Sequence, residues 1–229
     1  FVISRIDTQS DKVDAFGSAV KVNNNEYYVV MLEGTEYSFY RQQFSLAHEL
    51  GHWLMHESCK SPQDMGAIEY KQMEDEANEF AAEFLLPMDS FKASLIGYEN
   101  DLEYYRYLKR IWQVSISMMI MRAKSLNIID SNEYTNLYKK LSYRGWRKNE
   151  PLDSTKLISN PLSLKQSVEL LVENRIVMDI SADIYRVYNK LLPNFLIEDL
   201  CGLEAGYLDE LNDRYPNIIS LTKERIRRT

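Results

Sequence analysis

The sequence has few of the residues that build metal sites, disulfides or nucleic-acid surfaces. It contains three histidines and two cysteines among 229 residues. Two cysteines make no disulfide framework, so we expect a chain that folds in the reducing cytoplasm. Acidic residues outnumber basic ones by 34 to 27, and the resulting net charge of −7 disfavours broad binding to nucleic acid.

Long apolar runs are also missing. No stretch of about eighteen apolar residues occurs, so the sequence predicts no membrane span. The first residues, from Phe1 onward, lack the basic start and the long apolar core of a secretory signal. Because the chain begins with Phe1 rather than methionine, we expect a processed or truncated polypeptide.

The histidines that are present form one cluster. His48, His52 and His56 fall within nine positions, and the first two enclose Glu49 in the pattern His-Glu-x-x-His. On an α-helix, positions i and i+4 share one face, so two imidazoles there can hold one Zn²⁺ while the glutamate lies beside the metal. His56 lies about 12 Å along such a helix from His48, so we expect it to end the helix or support a ligand.

Two histidines leave a zinc site incomplete, because catalytic zinc usually has three protein ligands and a water. The third ligand must be a carboxylate or Cys59, and we interpret Cys59 as a bystander because it lies outside the helical register. A second, acidic helix presents Glu74, Asn78 and two alanines on one face, and these alanines, like Gly51 of the first helix, would allow another helix to approach closely. That face predicts Glu74 as a ligand and Asn78 as the hydrogen-bond partner of a ligand histidine, with Glu76 as the main rival of Glu74.

Strand-type patterns occupy the first forty residues, and helical periods occupy most of the rest. Residues 15–22 and 27–32 predict a hairpin around an asparagine turn. From about Phe39 the period is helical, with Phe44, Ala47, Leu50 and Leu54 as an apolar stripe. Further helices are expected at residues 68–86, 102–112, 116–125, 134–141, 163–174, 181–192 and 197–212. The sequence therefore predicts an α+β fold.

Two segments, Arg41 to His56 and Glu74 to Pro87, together resemble the ImmA/IrrE family of metallopeptidases. The resemblance implies a gluzincin-like N-terminal part, with a small β-sheet, an HExxH helix and a glutamate helix, followed by a mostly α-helical region. It also implies His48, His52 and Glu74 as zinc ligands and Glu49 as the general base. We expect a metallopeptidase-like domain at 1–92, a helical, helix-turn-helix-like segment at 93–150, and a C-terminal helical region at 151–229.

Members of this family typically act in bacteria and mobile elements by cleaving a helix-turn-helix repressor. The expected function is therefore a zinc-dependent endopeptidase whose substrate is such a repressor, with Tyr70 as a first guess for the donor to the oxyanion. The alternative is a non-cleaving, metal-stabilised regulator that relieves repression by binding. DNA contact through residues 102–126 is not favoured, because a packed helical hairpin gives the same pattern.

Overall fold

A computed structural model describes residues 2–6, 15–33, 38–56, 65–156 and 158–214. The contacts divide the chain into two compact units: Ser10–Ile158, and Phe1–Gln9 together with Ser159–Thr229. The division at residues 92 and 150 expected from the sequence stays a prediction. All of the candidate site residues that the structure describes lie in the first of these units.

The strands of the structure are short. They are β1 (Val2–Ile6), β2 (Ala15–Val22) and β3 (Asn25–Glu33). β2 and β3 pair antiparallel, from Ala15 opposite Leu32 to Val22 opposite Asn25. Asn23 and Asn24 close the hairpin with φ of 48° and 66°, the left-handed values that a two-residue turn requires and that asparagine tolerates. The predicted hairpin is confirmed, whereas β1 was not expected.

The next two elements are α1 (Phe39–His56) and α2 (Ala67–Leu85), which pack closely against each other. Small residues make this approach possible, since Ala77 and Ala81 of α2 are fully buried. A Cβ on Gly51 of α1 would lie 3.0 Å from the Phe80 ring. The packing role expected for the two alanines is therefore confirmed. Leu54, expected in the apolar stripe, is instead 58% exposed, although Ala47 and Gly51 of the same helix are buried.

Four further helices complete the core of this unit: α3 (Met88–Leu95), α4 (Leu102–Trp112), α5 (Ile116–Ser125) and α6 (Ser131–Tyr143). Ser115 is the N-cap of α5, because its hydroxyl accepts a hydrogen bond of 3.1 Å from the Met118 amide. Buried Glu150 accepts from the amides of Ile116 at 2.7 Å and Ser117 at 2.9 Å. Its other partner is the fully buried Lys109, whose ammonium lies 2.9 Å away.

The described residues of the second unit form β1 and four helices: α7 (Ser163–Glu173), α8 (Ile180–Tyr188), α9 (Asn194–Cys201) and α10 (Tyr207–Arg214). Within it, the Ser4 hydroxyl of β1 donates a hydrogen bond to the Leu200 carbonyl. The single helix expected over 197–212 is wrong in detail, because Gly202 ends α9 with a φ of 67°. Glu198 then accepts hydrogen bonds from the Gly206 and Leu208 amides at the start of α10.

The small sheet and the succession of helices make the fold class α+β, as the sequence predicts. The N-terminal part carries the described strands, and among the described residues from Phe39 to Arg214 every regular element is helical. Among the described residues, no helix combines the length and the apolar character needed to cross a membrane.

Candidate metal centre

Helix α1 places His48 and His52 side by side on one face, one turn apart. Their Nε2 atoms lie 2.9 Å from each other, and the rings meet edge to face with centroids 4.5 Å apart. Both side chains are largely buried, with exposed fractions of 16% and 12%. The two imidazoles therefore point their Nε2 atoms at one place, as the i, i+4 spacing predicts.

Helix α2 brings a carboxylate to the same place. The Glu74 oxygens lie 3.4 Å from His48 Nε2 and 3.5 Å from His52 Nε2. In the described part of the chain, these three residues form the one group whose potential ligand atoms all lie within 4.8 Å of one another. The structure thus assembles the predicted set with Glu74, and not Glu76, as its acidic member. Cys59 lies outside the described residues.

Asn78 occupies the position expected for a partner of a ligand histidine. Its Oδ1 lies 3.0 Å from His48 Nδ1, and because an amide oxygen only accepts, the Nδ1–H of His48 donates this bond. The proton on Nδ1 leaves the Nε2 lone pair free toward Glu74 and His52. Asn78 therefore fixes the ring and the tautomer in which His48 can bind a metal ion.

The second imidazole has a different partner. His52 Nδ1 lies 3.1 Å from His56 Nδ1, and His56 Nε2 lies 3.0 Å from Glu76 Oε2. Hydrogen bonds from His56 and then from Gln72 lower the pKa of Glu76, so that carboxylate is ionised near neutral pH. Glu76, the rival ligand in the sequence analysis, is thus connected to the centre through His56 rather than directly.

The surroundings keep both candidate ligand histidines neutral. Burial lowers the pKa of His48, against the opposing influence of the Glu74 carboxylate. Burial, and then the proximity of His48, lower the pKa of His52 to about 4. Neutral imidazole is the form that binds a metal ion, so these two side chains are ready to act as ligands near neutral pH.

Glu49, the one acidic residue of α1, is buried, with 6% of its surface exposed. Burial raises its pKa to about 7, while a hydrogen bond of 3.3 Å from the Tyr28 hydroxyl acts in the opposite direction. A carboxylate with a pKa near the working pH suits a general base, because it can take up and release a proton. The position beside the two histidines is the one that the motif predicts.

Two residues of the hairpin border Glu49, and neither was predicted from the sequence. Tyr28 of β3 is buried and reaches Glu49 through its hydroxyl. Gly17 of β2 lies so close that a Cβ there would be 2.4 Å from both Glu49 Oε2 and the Tyr28 hydroxyl. A glycine inside a strand is a known sign of close approach by another group, so Gly17 carried a signal in the sequence.

Tyr70, the first guess for an oxyanion donor, lies one turn before Glu74 on α2 and is 41% exposed. Partial burial and the neighbouring Glu74 carboxylate raise the pKa of its phenol, which therefore stays protonated at neutral pH. A protonated hydroxyl beside the three candidate ligands can donate a hydrogen bond. Its placement is compatible with the expected role, which stays a prediction.

Two imidazoles and a carboxylate on adjacent helices, with a buried glutamate next to the first histidine, define a site of the metallopeptidase type. The family model described as peptidase M78, IrrE N-terminal-like domain, matches residues 4–124, and the chain belongs to this family. The match covers just over half of the chain and includes the residues of the candidate centre. No curated protein matches the sequence.

Proposed function

We propose that the protein is a zinc-dependent endopeptidase. The observation that carries the proposal is the convergence of His48, His52 and Glu74, with buried Glu49 beside them. Two imidazole nitrogens and one carboxylate oxygen are a donor set found in catalytic zinc proteases, and this set leaves a position open for water. The residues present therefore fit zinc, and His48, His52 and Glu74 would hold it.

Zinc, when bound, supplies a Lewis acid that polarises the scissile carbonyl and lowers the pKa of water toward about 7. Glu49 takes the proton from the attacking water, whose oxygen joins the carbonyl carbon. When the carbon–nitrogen bond breaks, Glu49 returns that proton to the leaving amine. The hydrogen bond from Tyr28 holds the Glu49 carboxylate in place, and the Tyr70 hydroxyl is the proposed donor to the oxyanion.

The proposed substrate is a protein, a helix-turn-helix repressor of a bacterial stress response or mobile element. The chain belongs to the IrrE N-terminal-like family. Its resemblance to the ImmA/IrrE metallopeptidases, which typically cleave such repressors, supports this proposal. We also propose a cytoplasmic location, where a repressor would be met. The two cysteines of the chain agree with that location, because disulfide-stabilised proteins belong to oxidising compartments.

The test combines zinc content with cleavage. Elemental analysis of protein purified without chelator should give one zinc per chain, and incubation with candidate repressors encoded nearby should give discrete fragments on a gel. Glu49→Gln should keep zinc and abolish cleavage, whereas His48→Ala should lose both. Fragments released at the wild-type rate by Glu49→Gln would remove the general-base role.

The same experiment separates the alternative functions. A repressor that co-purifies with zinc-loaded protein but stays intact would indicate a regulator that relieves repression by binding. Retardation of DNA by this chain alone at physiological salt would indicate a DNA-binding protein, which the net charge of −7 disfavours. Absence of stoichiometric metal from unchelated protein would contradict the proposed function altogether.

A further inference from the structure

The nitrogen of His52 that faces away from Glu74 begins a chain of contacts through two further side chains. Its Nδ1 faces His56 Nδ1 at 3.1 Å, and the far nitrogen of His56 faces Glu76 Oε2 at 3.0 Å. His56 is nearly buried, with 8% of its side chain exposed, whereas 47% of Glu76 is exposed. We call His52, His56 and Glu76 the relay.

When His52 is a metal ligand, the protons of the relay can be placed on the ring nitrogens in one way. If His52 Nε2 binds the ion, the one proton of the neutral ring lies on Nδ1. That N–H must donate to His56 Nδ1, which therefore carries no proton. The proton of His56 then lies on Nε2 and donates to the Glu76 carboxylate.

We propose that His56 and Glu76 are positioning residues of the metal centre, which orient His52 and fix its tautomer through this relay. The inference rests on the proposed function, because it takes His52 as a metal ligand. It assigns to His56 and Glu76 the task that Asn78 performs alone for His48. Ligand histidines commonly donate their second N–H to a carboxylate, and here a third imidazole lies between the two.

The relay gives helix α2 two connections to the centre. Glu74 lies next to the Nε2 atoms of His48 and His52. Glu76, two residues later, is linked to His52 Nδ1 through His56. Gln72 steadies the far end by donating a hydrogen bond of 2.8 Å to Glu76 Oε1. An ionised carboxylate at the end of the row polarises both imidazoles in the same direction and makes His52 a more basic ligand.

A purely structural role is the competing explanation. His56 is the last residue of α1, and its bond to Glu76 would then do no more than connect the end of α1 to the middle of α2. In that case, removing the bond would lower the stability of the metal-free protein but leave its affinity for zinc unchanged. The two explanations therefore differ in two measurable quantities.

The proton positions are tested by ¹⁵N NMR of zinc-loaded, histidine-labelled protein. Because the chain has three histidines, His56→Gln, which keeps both candidate ligands, identifies the His56 signals, and the remaining signals belong to His48 and His52. We expect His48 and His52 to carry the proton on Nδ1 and His56 to carry it on Nε2. A proton on His56 Nδ1 in the zinc-loaded protein would overturn the relay.

The contribution to binding is tested by competition between the protein and a zinc chelator. His56→Phe, which keeps a ring without an acceptor, and Glu76→Ala should weaken zinc binding by about 10- to 100-fold, the usual loss on removing such partners. His56→Gln should recover most of the affinity, because its amide oxygen can accept from His52. Glu79→Ala is the control, since Glu79 is exposed on the same helix.

The outcomes separate this inference from the proposed function. If the wild-type protein binds no zinc, the metal centre itself is wrong and the relay falls with it. If the wild-type protein binds zinc and all four variants bind it equally well, the metal centre stands and the relay is wrong. Circular dichroism of the zinc-free variants verifies folding, and Glu76→Ala, at an exposed position, keeps the test valid if His56→Phe does not fold.

Discussion

The hydroxyl of Tyr28 donates a hydrogen bond of 3.3 Å to the carboxylate of Glu49, which joins the hairpin to the helix that carries the candidate ligands. Tyr28 lies in β3 and Glu49 lies 21 residues later in α1. The bond opposes the effect of burial on the Glu49 pKa, because a donor stabilises the ionised carboxylate. Tyr28 therefore sets both the place and the proton affinity of this side chain.

Replacing Tyr28 by phenylalanine should raise the pKa of Glu49 above its value of about 7 in the zinc-free protein. The expected rise is about one unit, since a hydrogen bond to a charged group contributes about 1.5–3 kcal/mol and part of it is replaced by water. Titration of ¹³C-carboxyl-labelled glutamate measures it. Tyr27→Phe, at the neighbouring exposed position, should leave the pKa unchanged. An unchanged pKa in Tyr28→Phe would show that the bond has no influence.

Gly17→Ala should displace Glu49 or Tyr28, because the new Cβ would lie 2.4 Å from atoms of both. Overpacking of this kind costs about 1–3 kcal/mol of unfolding free energy. Gly66→Ala is the matched control, since nothing lies within 4 Å of a Cβ there. Urea unfolding followed by tryptophan fluorescence measures both. Equal stability of the two variants would contradict the close approach.

Glu49→Gln should stabilise the zinc-free protein at pH 8 but not at pH 4. The raised pKa means that the folded state holds the proton of Glu49 more tightly than the unfolded state, so its contribution to stability is present below about pH 4.5 and is lost as the pH rises through about 7. Glutamine does not titrate and so has no such loss. At pH 8 the unfolding free energies of the two proteins should therefore differ by on the order of 2 kcal/mol.

Subtracting the unfolding free energy of the wild-type protein from that of Glu49→Gln isolates the contribution of Glu49. The lowered pKa values of His48 and His52 give stability that is lost as the pH falls below 6.5, but this loss is common to both proteins. Urea unfolding at several pH values with a chelator present gives the two curves. A difference that does not change between pH 4 and 8 would contradict the raised pKa.

Glu150→Ala should destabilise the unit of residues 10–158 by about 3–5 kcal/mol, because the buried Lys109 ammonium loses one of its two acidic partners and the first amides of α5 lose their acceptor. Glu103→Ala, which breaks exposed ion pairs, should cost less than about 1 kcal/mol. Combining Lys109→Met with Glu150→Gln should recover part of the loss. Tryptophan fluorescence follows this unit alone, since it contains all of the tryptophans: Trp53, Trp112 and Trp146.

The candidate ligands could be predicted because their geometry is local. His48 and His52 are one helical turn apart, and Glu74 shares a helical face with Ala77 and Asn78, so periodicity alone sorted it from Glu76. Gly51 and the alanines likewise indicated close helix packing. These features depend on the spacing within one helix, which the sequence displays directly.

The remaining features depend on how separate elements meet. Nothing in the sequence shows that the hairpin docks Tyr28 and Gly17 onto Glu49, because that contact joins residues far apart in the chain. The bond between His56 and Glu76 depends on the relative rotation of two helices, which periodicity does not specify. The break at Gly202 was missed because the apolar period continues across it.

The ion pair between Lys109 and Glu150 also sets a lower limit for any shortened version of the protein. The family match ends at residue 124, well before Glu150 and Asp153, the two acidic residues that neutralise Lys109. A fragment that ends at residue 124 would retain every candidate ligand but would leave the buried Lys109 ammonium without its two acidic partners. Minimal fragments for crystallisation or assay should therefore extend at least to Ile158.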